Sequence, residues 1–191
     1  MKELVFLVEG EAERCLLDTF LPRVLPEGVG HRVIPFQGKQ DMEKRMNMRI
    51  RGYLNPQARF IVLRDQDSHT DCIALKRSLQ ERCAGTQREA HCLVRIACTE
   101  LETFYLADLA AVGQGLGISG LDRYQSQRKF RDPDRLGSPS RELSALTKNR
   151  YEKRDGSARI GQHLALENTR SPSFHHFVAG IRRLSAQLLD A

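Results

Sequence analysis

The chain has 191 residues, 40% of them hydrophobic and 28% charged, with a formal net charge of +6; it can bury a core without covalent staples and has an ordinary soluble balance. No apolar run approaches the roughly 20 residues of a membrane helix, and the amino terminus lacks a charged–apolar–small leader, so the expectation is no membrane and a cytoplasmic location. Five cysteines, at 15, 72, 83, 92 and 98, form no Cys-x-x-Cys pair, so neither a disulfide framework nor a thiolate metal site is expected.

In chain order, residues 3–8 form an unbroken apolar run, the pattern of a strand buried on both faces. Glu9-Gly10 closes it, and residues 11–23 read as a helix with Ala12, Cys15, Leu16, Phe20 and Leu21 near one face. His31–Phe36 is a second strand whose Pro35 suits an edge. Gly38-Lys39 opens a charged helix over about 40–53, with Met42, Met46 and Ile50 in one stripe. Residues 59–64 form the third strand, running into Asp65-Gln66-Asp67; a helix follows over 70–83, and then a fourth strand over 91–98. Thr99-Glu100-Leu101-Glu102 leads into a helix to about 111. Residues 113–140, rich in Gly, Arg, Asp and Pro, read as loop, and helices are expected near 140–147, 157–166 and 173–189.

Strands alternating with helices predict an α/β fold: a Rossmann-like four-stranded parallel sheet in the order 2-1-3-4, flanked by helices. The expected division is an α/β metal-binding unit over 1–112 and a basic loop and helical extension over 113–191 packed on it.

Three strand ends then deliver carboxylates to one edge of the sheet: Glu9, Glu11 and Glu13; Asp65 and Asp67; Glu100 and Glu102. Ligands bind at that edge of open α/β sheets. Residues two apart in an extended segment point the same way, so Asp65 and Asp67 are expected to converge on one point. Gathered carboxylates repel unless a cation joins them, and oxygen-only ligands call for a hard ion, Mg²⁺ or Mn²⁺, one or two in number. The metal set is therefore Glu9, Glu13, Asp65, Asp67, Glu100 and Glu102, with Glu11 facing solvent. Residues 1–112 hold 16 Lys and Arg against 16 Asp and Glu, whereas residues 113–191 hold 14 against 8. The basic excess lies wholly in the second part, which suits a polyanionic ligand. Lys39, at a helix amino terminus that favours anions, and Arg128, Lys129, Arg131, Arg150, Lys153 and Arg154 are the candidate nucleic-acid contacts.

Glu9-Gly10 after the first strand and Asp65-x-Asp67 after the third resemble the motifs of the Toprim superfamily, found in topoisomerases, primases and overcoming-lysogenization-defect nucleases. Val8-Glu-Gly-x-x-Glu13, Phe36-x-Gly-Lys39, Glu100-x-Glu102, Tyr151-x-Lys153 and Ser171-x-Ser-Phe174 extend the resemblance to a bacterial family of small Toprim-like proteins encoded beside AAA-type ATPases in phage-defence loci. The resemblance implies a Mg²⁺-dependent nuclease working with an ATPase partner. Glu9, Asp65 and Asp67 would be its catalytic carboxylates, and Lys153 would assist. Arg64 departs from the pattern, where a small or apolar residue is usual. Two other readings compete: a non-catalytic partner or sensor subunit of an ATPase complex, and an Asp-x-Asp metal site of the glycosyltransferase kind. The Glu-Gly turn argues against the latter. No P-loop occurs, since Gly38-Lys39 lacks its spacing.

Overall fold

The four apolar runs become four strands: β1 (Glu3–Val8), β2 (Gly30–Pro35), β3 (Arg59–Asp65) and β4 (Cys92–Ala97). In the computed structural model, which describes residues 1–190, they form one sheet in the order β2-β1-β3-β4, parallel throughout. This is the expected α/β architecture, and Pro35 falls on an edge strand as its missing N–H requires. Val8 pairs with Leu63, so the chain leaves β1 and β3 at the same edge.

The strand period of two sorts the core. Leu4, Phe6, Val8, Ile61 and Leu63 face one side, while Val5, Leu7, Phe60 and Val62 face the other. The second side is covered by α2 (Lys39–Arg51) and α3 (Cys72–Ala84). On α2 the stripe of Met42, Met46 and Ile50 is wholly buried, and each such side chain contributes about 1.5–3 kcal/mol relative to leaving it in water. The first side is covered by α1 (Glu11–Val24), α7 (Lys153–Gly161) and α8 (Pro172–Leu189). Phe6 meets Phe177 of α8 edge to face at 6.4 Å, and Phe104 stacks on the same ring at 6.0 Å. Residues from both parts of the chain thus share one core.

Past β4 the structure differs from the sequence reading in three places. The expected continuous helix to 111 is broken into α4 (Glu102–Leu106) and α5 (Leu109–Leu116), because Asp108 caps the second piece, accepting from Ala111 N at 3.1 Å. The expected loop over 113–140 is folded into short 3₁₀ turns at Asp122–Ser126, Arg128–Phe130 and Pro133–Arg135. Phe130 is fully buried there, and Gln125 donates to the carbonyls of Leu106 and Phe130 while accepting from Leu109 N. One buried aromatic and one amide fasten a segment whose polar composition hides them. Lastly, α7 begins at Lys153 rather than 157, and α6 (Pro139–Leu146) precedes it. Among the described residues no helix is long and apolar enough to cross a membrane.

Candidate active site

Glu9 follows the last residue of β1, and its Oε1 accepts from the backbone N–H of Asp65 at 2.8 Å, tying the ends of the two central strands together. The same oxygen accepts from Arg64 Nη1 at 2.6 Å. Arg64 is only 1% exposed. Its Nη1 also donates to Asp67 Oδ2 at 3.1 Å and to the Asp65 carbonyl oxygen, and its Nη2 lies 3.6 Å from Glu43 Oε1 of α2. The guanidinium therefore occupies the space between Glu9 and Asp67.

Asp65 and Asp67 do not converge as expected. β3 ends at Asp65, and Asp67 takes a left-handed conformation with φ 51° while its N–H bonds to the Thr99 carbonyl at 2.7 Å. The two-residue alternation holds only while the backbone is extended, and it fails at Asp67, two residues past the strand. Asp67 turns to Arg64 and to Lys39 Nζ, 3.2 Å away. Asp65 belongs to a different neighbourhood: the carboxylates that repel it most are Glu13, Glu9 and Glu102, and its shielded Oδ1 has no hydrogen-bond partner.

Glu13, in the first turn of α1, is nearly buried, and its Oε2 accepts from Gly10 N at 3.0 Å, a reach back that closes the helix start. Glu102 opens α4 and is 3% exposed; its Oε1 accepts from Tyr151 Oη at 3.1 Å and lies 3.9 Å from Lys153 Nζ. Glu100 is committed elsewhere, accepting from Ser140 N at 2.7 Å at the start of α6. Glu11 stands at the surface between Arg14 and Arg154, as expected.

Burial and mutual repulsion shape the electrostatics. Burial raises the Asp65 carboxyl well above its ordinary value, and Glu13, Glu9 and Glu102 add to the rise. Burial likewise raises Glu13, helped by Glu9 and Glu102. Glu9 and Glu102 are raised by burial too, although Arg64 opposes the first and Lys153 the second. Burial disfavours the charge on Arg64, but Glu9 and Asp67 outweigh it and hold the proton on more tightly.

The donor chemistry fits a hard divalent ion. Asp65, Glu13 and Glu102 supply only carboxylate oxygens, and the shielded Asp65 Oδ1 lacks a partner. Among the described residues no three His, Cys, Asp or Glu side chains stand close enough to grip an ion as they lie. The carboxylates would have to draw in around one.

The basic candidates divide. Lys153 and Arg154, at the start of α7, are largely exposed beside Glu102 and Glu11. Arg128, Lys129 and Arg131 line a cleft of about 500 Å³ with Arg135, though Lys129 is paired to Glu142 at 2.7 Å and Arg131 Nε bonds the Ser126 carbonyl. That segment is tied to the end of β4 by Thr99 Oγ1, which donates to the Leu136 carbonyl at 2.9 Å. Arg150 donates to the Leu116 carbonyl at 3.2 Å and is partly a structural brace. Sequence reading missed Glu43, and it took Arg64 only as a departure from the family pattern. The signal for a larger role was available: a cation in a wholly buried strand must be paired.

Compared with known proteins, the chain is matched over residues 8–182 by the family described as "Domain of unknown function (DUF4276)". No curated protein matches it in sequence. In structure it is similar to the C-terminal region of the Burkholderia pseudomallei OLD protein, with a TM-score of 0.56 and 16% sequence identity, over 95% of this chain and 98% of that one. A likeness at that identity concerns the fold.

Proposed function

Since the chain belongs to the DUF4276 family, whose description carries no activity, we propose from the site itself that it is a divalent-metal-dependent phosphodiesterase of the Toprim type, acting on nucleic acid. The observation that carries the proposal is the partnerless buried oxygen of Asp65 at the carboxyl end of a central strand, set among Glu9, Glu13 and Glu102 with Lys153 at the rim. The fold likeness to the OLD protein region and the Glu-Gly and Asp-x-Asp motifs support it.

In this proposal Asp65, Glu13 and Glu102 would hold Mg²⁺ or Mn²⁺. The ion, when bound, would polarise a phosphodiester and make its water more acidic. Glu9, held by Arg64 and the Asp65 N–H, has a raised proton affinity that suits it to take a proton from water. Lys153 would offset charge developing on the phosphate, and Lys39, at the amino end of α2, would meet a neighbouring phosphate. Catalytic Asp67 becomes a positioning residue, because Arg64 and Lys39 already claim its carboxylate. An AAA-type ATPase partner and a phage-defence setting rest on the sequence resemblance alone.

The test is incubation of the purified chain with Mn²⁺ or Mg²⁺ and labelled DNA and RNA. Cleavage should fall by about 10²-fold or more in Glu9→Gln and Asp65→Asn; cleavage that persists in both removes the proposal. One observation favours a second reading, a non-catalytic subunit: Glu9 and Asp67 are already paired with cations, Arg64 and Lys39. Absence of cleavage alone and with an ATPase, together with no measurable metal affinity, would select it.

A further inference from the structure

Arg64 is the largest side chain wholly withdrawn from solvent, in a strand whose other central residues, Phe60 to Leu63, are apolar. Strand alternation places it on the α2 and α3 face, opposite Asp65, and Glu9 continues β1 onto the same face as Arg64. The edge of the sheet is thereby split. On one side Glu9, Asp67 and Glu43 surround a guanidinium; on the other, Asp65, Glu13 and Glu102 have no arginine among them.

Nη1 has two hydrogens for three acceptors, the Glu9 and Asp67 carboxylates and the Asp65 carbonyl. Charge more than directional bonding keeps it there. A divalent ion bridging Glu9 and Asp67 would need oxygens about 2.1 Å away, inside the volume the guanidinium fills, and two cations at that spacing repel.

We propose that Arg64 is a positioning residue that permanently takes the place of one of two ions, so that the centre accepts a single divalent ion, on the Asp65–Glu13–Glu102 side. This rests on the metal-dependent reading above, and it replaces the expected choice of one or two ions by one. Arg64 also fixes Glu9 and Asp67, so that one side of the site is set before any ion arrives.

The experiment is Mn²⁺ binding to the full chain without nucleic acid, followed by equilibrium dialysis and by the loss of the free Mn²⁺ paramagnetic signal. The parent should bind one ion. Asp65→Asn should weaken it by about tenfold or more, while Asp67→Asn, whose carboxylate is bonded to Arg64 and Lys39 and to none of the ion's ligands, should weaken it clearly less. Arg64→Gln should gain a second ion that Asp67→Asn removes, and Arg64→Lys, which keeps the cation, should stay at one. If Arg64→Gln does not fold, the two aspartate variants decide. Two ions on the parent, with Asp67→Asn losing one, would overturn the proposal and leave the metal-dependent reading intact. One ion lost by Asp67→Asn and kept by Asp65→Asn would do the same. No ion on the parent would overturn both.

Discussion

Single carboxyl groups set how this protein responds to pH. Glu9, Glu13, Asp65 and Glu102 all hold protons more tightly folded than their ordinary values of 3.8 to 4.5, chiefly because burial penalises their charge. Stability contributed by such groups is complete below the ordinary values and drains away as pH climbs through the raised ones. Ion-free protein should therefore melt at a lower temperature near pH 8 than near pH 5, within the range where these groups dominate. Mg²⁺ or Mn²⁺ should narrow the difference, because an ion bound only by the folded state stabilises it. Asp65→Asn should raise the ion-free melting point at the higher pH and flatten the profile. Thermal melts across pH, with and without the ion, check all three, and an unchanged profile in Asp65→Asn would show that this group is not the strained one. The residues of the site were legible as types at strand ends; their partners were not. Where Asp67 points depends on a left-handed residue after β3 and a bond to Thr99, and neither leaves a periodic trace in the sequence.

Among the elements, α7 decides whether the basic residues meet the acids. It lies against α1 at Gly161: a Cβ there would stand 2.5 Å from Thr19 Oγ1 and 2.9 Å from the Leu16 carbonyl oxygen. The hydroxyl can swing aside, but the backbone oxygen cannot. Gly161→Ala should destabilise the protein by about 1–3 kcal/mol, an overpacking cost. Gly137→Ala, with no atom within 4 Å of the added carbon, is the control and should change stability by less than about 0.5 kcal/mol. Urea titrations of both variants give the comparison. Helices with an apolar stripe, such as α2 and α8, could be read from sequence. The start of α7 could not, because its first buried positions, Gly156 and Ser157, carry no hydrophobic signal.

On the scale of the whole molecule, the excess of positive charge beyond residue 112 comes back to the acidic edge through Lys153 and Arg154. If these grip duplex DNA, replacing both by glutamine should reduce the dependence of log affinity on log salt by about 0.9 for each phosphate no longer neutralised, and metal affinity should hold. Arg150, bonded to the Leu116 carbonyl, should cost stability instead. An unchanged salt slope in the double variant would place the grip at the Arg128–Arg131 cleft or elsewhere. The packing of Phe6 against Phe177 has a consequence of another kind. β1 leaves a ribosome well before α8, the helix it leans on. At roughly 5–20 residues per second, β1 waits about ten to thirty seconds for that cover. During translation α8 cannot cover β1 until it has itself been made, and in that interval the face of Phe6 that meets Phe177 stays open.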